Sequence, residues 1–107
     1  MRILRESLIE RKLSKYFEDR GGISIKIGFN GYPDRLFIKN GVCLFIEFKS
    51  GCREGGISPL QMYQIERLMG NGVLVEVIDD LISGIDLVDR TFFYETLRTS
   101  SASDRWN

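Results

Sequence analysis

Apolar residues Ile3, Leu4, Leu8, Ile9, Leu13, Tyr16 and Phe17 recur at helical spacing through residues 3 to 19, between charged positions. That period predicts an amphipathic helix, ended by Gly21-Gly22. The pattern then changes to a period of two: Ile23, Ile25 and Ile27 alternate with Ser24 and Lys26, as in a half-buried strand. Gly28 to Pro33 reads as a loop, and Leu36 to Lys39 as a short strand. Asn40-Gly41 predicts a tight hairpin, because both residues tolerate positive φ. Val42 to Lys49 is apolar almost throughout and reads as a central strand. After the glycine-rich stretch 51–56, Ser58 is placed as a helix N-cap and Pro59 as the first helical residue. That helix runs to about Met69, with Leu60, Tyr63, Ile65, Leu68 and Met69 supplying its apolar surface, and Gly70-Asn71-Gly72 closes it. Val73 to Ile78 is a further strand. Asp79-Asp80 starts another helix, with a break or kink expected near Gly84, and residues 86 to 98 read as helical again.

The predicted order is α-β-β-β-α-β-α. The hairpin makes the first three strands antiparallel. The helix before Val73 suits a crossover to a strand parallel with Val42–Lys49, giving a mixed central sheet flanked by helices. The chain of 107 residues fits a single domain, expected over 1–98, with a polar tail frayed over 99–107. The aromatic run Phe92-Phe93-Tyr94 reads as core, or else subunit-interface, packing.

Composition narrows the chemistry. Lys plus Arg and Asp plus Glu both number 15, so a polyanion partner requires segregated charge, a metal or an oligomer. No apolar run approaches a membrane span, and the N-terminal stretch lacks the apolar core of a signal peptide, so a cytoplasmic location is expected. There is no histidine, which removes histidine-based triads and zinc sites. Cys43 reads as a small apolar residue buried in its strand, and Cys52 falls in the glycine-rich loop. Hydrolytic chemistry here must use carboxylates, lysine or a metal held by oxygen.

Three charges stand where the core should continue. Along the central strand Leu44, Ile46 and Phe48 share one face, and Cys43, Phe45, Glu47 and Lys49 the other. Counting outward from the hairpin brings the Asp34 end of the partner strand beside residues 45 to 47. Two carboxylates and an ammonium therefore converge. An ion pair at a strand end would explain one carboxylate and the lysine. Two carboxylates side by side repel unless a cation sits between them, and Mg²⁺ suits such oxygen ligands.

Pro33-Asp34, twelve residues, then Glu47-Phe48-Lys49 is the layout of the PD-(D/E)XK nucleases. "GYPDR", "EFKSG", "ISPLQ" and the N-terminal "ESLIERKL" with its following "RGG" resemble, in order and spacing, the VRR-NUC (virus-type replication-repair nuclease) branch over roughly residues 5 to 80. The length resembles stand-alone phage and bacterial members. The resemblance implies a restriction-endonuclease-like α/β core. It also implies Asp34 and Glu47 as ligands of Mg²⁺ or Mn²⁺, completed by the Phe48 carbonyl, Lys49 as the catalytic lysine, and Gln61 as a residue orienting Lys49, a water or the DNA backbone. A first-helix glutamate joins such sites; Glu10 is preferred over Glu6, which lies on the same helical face. Arg35 and Arg53 are candidate DNA contacts, although Arg35 can point to the opposite face. Lys26 and Lys39 read as ordinary exposed strand charges, and Tyr32 as packing beside the site or filling the loop.

The implied reaction is in-line hydrolysis of a DNA phosphodiester, leaving 5′-phosphate and 3′-hydroxyl ends. Stand-alone members resemble Holliday junction resolvases, so a homodimer acting on branched DNA in repair is expected; a two-fold pair would enlarge a small, neutral footprint. Two other classes fit less well. A sequence-specific restriction-type endonuclease on this fold would normally add recognition segments, and none is visible; a general endonuclease is the other enzyme alternative, separated by its choice of DNA substrate. A non-catalytic nucleic-acid-binding or assembly module has no need of like charges held together.

Overall fold

The computed structural model describes residues 5–49 and 56–94. Ile3, Leu4, Cys52, Arg53 and the expectations for residues beyond 94 lie outside the described residues. The elements are α1 (Glu6–Glu18), β1 (Ile23–Lys26), β2 (Arg35–Lys39), β3 (Val42–Phe48), α2 (Pro59–Gly70), β4 (Leu74–Ile78) and α3 (Leu81–Val88), which runs into a π-helical turn, Asp89–Phe93. The sheet order is β1-β2-β3-β4, antiparallel except for the parallel β3–β4 pair. This is the predicted mixed α/β arrangement.

Asn40 and Gly41 take φ of 52° and 79°, closing the hairpin directly between Lys39 and Val42. The hairpin thereby sets the register, in which Phe37 faces Leu44 and Arg35 faces Ile46. One sheet face, carrying Phe37, Leu44, Ile46, Phe48 and Ile78, packs on Ile9, Leu13 and Phe17 of α1, Leu87 and Val88 of α3, and Phe92. Phe17 stacks on Phe37 with centroids 4.5 Å apart. Adjacent Phe92 and Phe93 both meet the Phe17 ring, and the Tyr16 hydroxyl donates to Asp89 at 2.7 Å, pinning the π-helical turn to α1. Tyr94 is exposed.

Two expectations need correction. The helix is not broken at Gly84: α3 runs unbroken through it. The glycine serves packing, since a Cβ there would lie 2.9 Å from Leu13 Cδ2 and 3.3 Å from Ile78 Cγ2. Cys43 is exposed, not buried. It stands on the second sheet face, which α2 covers mainly over β4. Leu60, Tyr63 and Met69 accordingly stay exposed, and only Ile65 of α2 is buried.

Candidate active site

β1 and β2 are joined by a loop whose base closes when the Ile27 N–H donates to the Asp34 carbonyl at 2.9 Å. Within it Gly31 has φ of 83°, and a Cβ there would lie 2.5 Å from Leu60 Cγ of α2. A side chain is excluded twice over, by conformation and by contact. The loop delivers Asp34 one residue before the β2–β3 ladder, whose last pair is Arg35 with Ile46. The Phe48 N–H, turned toward β2, donates to Asp34 Oδ2 at 2.8 Å.

Glu47 follows Ile46 and so projects from the opposite face to the core. It is nevertheless 2% exposed. Its Oε2 accepts from Gln61 Nε2 at 2.6 Å and pairs with Lys49 Nζ at 3.1 Å. Its Oε1 is buried with no hydrogen-bond partner among the described residues. Burial first, and then the charge of Asp34, push the Glu47 carboxyl above its ordinary value, against the pull of Lys49 and Gln61. Lys49 lies two residues on, on the same face. Its N–H donates to the Ile78 carbonyl at 2.8 Å, extending the β3–β4 ladder, and its ammonium lies 3.4 Å from Gln61 Oε1.

Gln61 occupies the third position of α2. Ser58 caps this helix as expected, with Pro59 following. Gln61 completes a reciprocal capping box: its N–H donates to Ser58 Oγ at 3.1 Å, and its Oε1 accepts from the Ser58 N–H at 3.1 Å. The Ser-Pro-Leu-Gln run carries this signal; the resemblance places Gln61 beside Lys49, as found, but no local pattern shows that its amide also grips the Glu47 carboxylate.

Asp34, Glu47, Lys49 and Gln61 are thus drawn together. Glu10 goes elsewhere. Its Oε2 accepts from Lys26 Nζ and from Arg35 Nε, both at 2.7 Å. Burial raises its carboxyl, but those two cations outweigh burial and hold it below the ordinary range. Arg35 lies on the core-side face and also donates to Ser24 Oγ at 3.2 Å, so it turns away from the Glu47 face. Glu6 is exposed on the first turn of α1. Tyr32 packs edge-on against Phe29, with centroids 6.1 Å apart.

Among the described residues, no three Asp, Glu or Cys side chains gather as a metal cage would require. Mg²⁺ does not need one, since it commonly takes one or two carboxylates and fills its shell with water and phosphate. The orphaned Oε1 beside a second carboxylate fits such a cation: it is an acceptor without a donor, in a place where like charges repel.

No protein-family model matches the chain. "Putative nuclease p44" of Acyrthosiphon pisum secondary endosymbiont phage 1 is 36% identical over 83 residues, which span 74% of this chain and 87% of that protein. A solved structure described as a VRR_NUC domain superposes with a TM-score of 0.71 at 25% identity, over 81% of this chain and 97% of that one. With the mixed sheet, its flanking helices and the Asp34/Glu47-Phe48-Lys49 strand ends in place, these likenesses establish that the chain belongs to the VRR-NUC family of nucleases.

Proposed function

We propose that the protein is a divalent-metal-dependent DNA endonuclease, selective for branched DNA and acting as a homodimer. The observation that carries the metal-dependent chemistry is Glu47: a buried carboxylate with an oxygen unpartnered among the described residues, beside Asp34 and tied to Lys49; the preference for branched DNA and the homodimer rest on the family resemblance and on the chain's small, neutral footprint. On this reading Asp34 and Glu47 hold Mg²⁺ or Mn²⁺, with the Phe48 carbonyl completing the protein's share. The cation, when bound, would polarise the scissile phosphate and lower the pKa of the attacking water. Lys49 holds that water in line, or neutralises charge developing on the phosphate oxygens. Gln61 keeps the lysine and Glu47 in register. Attack on phosphorus breaks the P–O3′ bond and leaves 5′-phosphate and 3′-hydroxyl ends. Glu10 joins as a third carboxylate only by leaving Lys26 and Arg35. Arg53 and a released Arg35 are the proposed phosphate contacts.

The test is cleavage of labelled four-way junction, flap, single-stranded and linear duplex DNA with Mg²⁺, Mn²⁺ or EDTA, comparing the wild type with Lys49→Ala. Junction cutting that needs metal and disappears in the variant is expected. Equal cutting of linear duplex would remove the branched-DNA selectivity. No cutting of any DNA by folded protein would overturn the reading.

A further inference from the structure

The grip of α2 on the site runs through its first turn. Gln61 Nε2 donates to Glu47 Oε2 at 2.6 Å, while Gln61 Oε1 accepts from the Ser58 N–H and faces Lys49 Nζ at 3.4 Å. The Ser58 hydroxyl closes the loop by accepting the Gln61 N–H at 3.1 Å. An amide side chain has one carbonyl and one amino group. Here the carbonyl is claimed by the cap, and that choice leaves the amino group pointing at Glu47. That claim is made by the backbone N–H of residue 58, and without it the amide is free to leave Glu47 for solvent, since Ser58 is exposed and Gln61 only half-buried.

We infer that Ser58 is a positioning residue for the nuclease site: its backbone N–H, held over the first turn of α2 by the helix cap, fixes the direction of the Gln61 amide and thereby holds Glu47 and Lys49 in place. Ser58 touches none of the reacting groups and acts through Gln61. The inference rests on the proposed catalytic set, but the amide geometry itself does not. Partners at one remove from metal ligands, here Gln61, typically change activity by about 10–100-fold when removed; Ser58 stands one step further out, so the low end applies, while an N-cap deletion by itself costs only about 1 kcal/mol of stability.

The α3 helix supplies an internal control. Asp80 caps it by accepting both the Ser83 N–H and the Ser83 hydroxyl at 2.8 Å, so its bonds stay within its own helix turn. The experiment compares Ser58→Pro, which removes that N–H and suits the φ of −71° there, Ser58→Ala, which keeps it, and Asp80→Ala, all in the whole chain. It reads thermal stability, steady-state cleavage of junction DNA in Mg²⁺, and the ¹⁵N-HSQC side-chain amide pair of Gln61 in metal-free protein. Expected for Ser58→Pro are a fall in kcat of about tenfold, little change in KM, and Gln61 amide signals moving to the values of a freely rotating side chain. Ser58→Ala, which keeps the N–H, leaves the amide signals in place and retains most of kcat, and Asp80→Ala loses stability and keeps its kcat. Equal effects of Ser58→Pro and Ser58→Ala on kcat would overturn the inference, as would a Gln61 amide unmoved in Ser58→Pro. If the wild type cuts no DNA, the proposed function fails by itself, and the amide signals still decide whether Ser58 holds Gln61.

Discussion

At the scale of single residues, Glu47 trades stability for chemistry. Its carboxyl is pushed up by burial and by Asp34. A group whose folded pKa is raised gives its full stabilisation below its unfolded value, near 4.3 for glutamate, and loses it as pH rises through the folded value. Glu47→Gln removes this penalty. In EDTA the variant should therefore gain on the wild type as pH rises from 4 to 8, while losing all cleavage. Urea unfolding at both pH values measures this, and a variant that is less stable at pH 8 than at pH 4 relative to wild type would contradict it. Gln61 makes the complementary case. Gln61→Glu keeps an acceptor for the Ser58 N–H but replaces the 2.6 Å donor to Glu47 with a third negative charge. Activity should drop at least about tenfold, even though the helix cap survives. Circular dichroism with parallel cleavage assays separates the two effects.

At the scale of elements, the hairpin and the α2 cap were legible from local chemistry. Asn40-Gly41 dictates its own turn, and the turn dictates the register that puts Asp34 opposite the end of β3. Ser58-Pro59 likewise announces its helix. Gly84 was misread because glycine has two uses that look alike in a sequence: it breaks helices, and it admits close neighbours. Here the second applies, and the variant tests it. Alanine in a helix interior normally stabilises by about 1 kcal/mol over glycine. At residue 84 its methyl would meet Leu13, which is fully buried and cannot swing aside. Gly84→Ala should thus destabilise by about 1–3 kcal/mol, read as a shift of the urea midpoint. A stabilised variant would mean that α1 and α3 can part without loss. Cys43 was misplaced for a related reason: an apolar run predicts a strand buried on both faces, but α2 lies mainly over β4 and leaves part of that face open.

At the scale of the whole molecule, 15 basic and 15 acidic residues leave no net field to draw in DNA. On the proposed reading, binding rests on locally segregated charge, the cation and a second copy of the chain. Two predictions follow at this scale. Mg²⁺ or Mn²⁺ at millimolar concentration should raise Tm of the wild type and leave Glu47→Gln unmoved, because a ligand stabilises only the state that binds it. Sedimentation equilibrium should give twice the 12.3 kDa chain mass; a monomer at all concentrations that still cuts junctions would remove the dimer from the proposal.

The sequence by itself determined the element order, the hairpin register, the cap of α2 and the meeting of Asp34, Glu47 and Lys49. Each follows from interactions between near neighbours or from the strict alternation of a strand. Only the tertiary structure decided that Glu47 is buried with one oxygen unpartnered among the described residues, that Gln61, itself bonded to Ser58, holds it, and that Glu10 spends its charge on Lys26 and Arg35. Those facts depend on how a helix lies against a sheet. A turn of a few tens of degrees about a helix axis, or a shift of a few ångströms along it, changes which partner a long side chain reaches, and no local pattern encodes that.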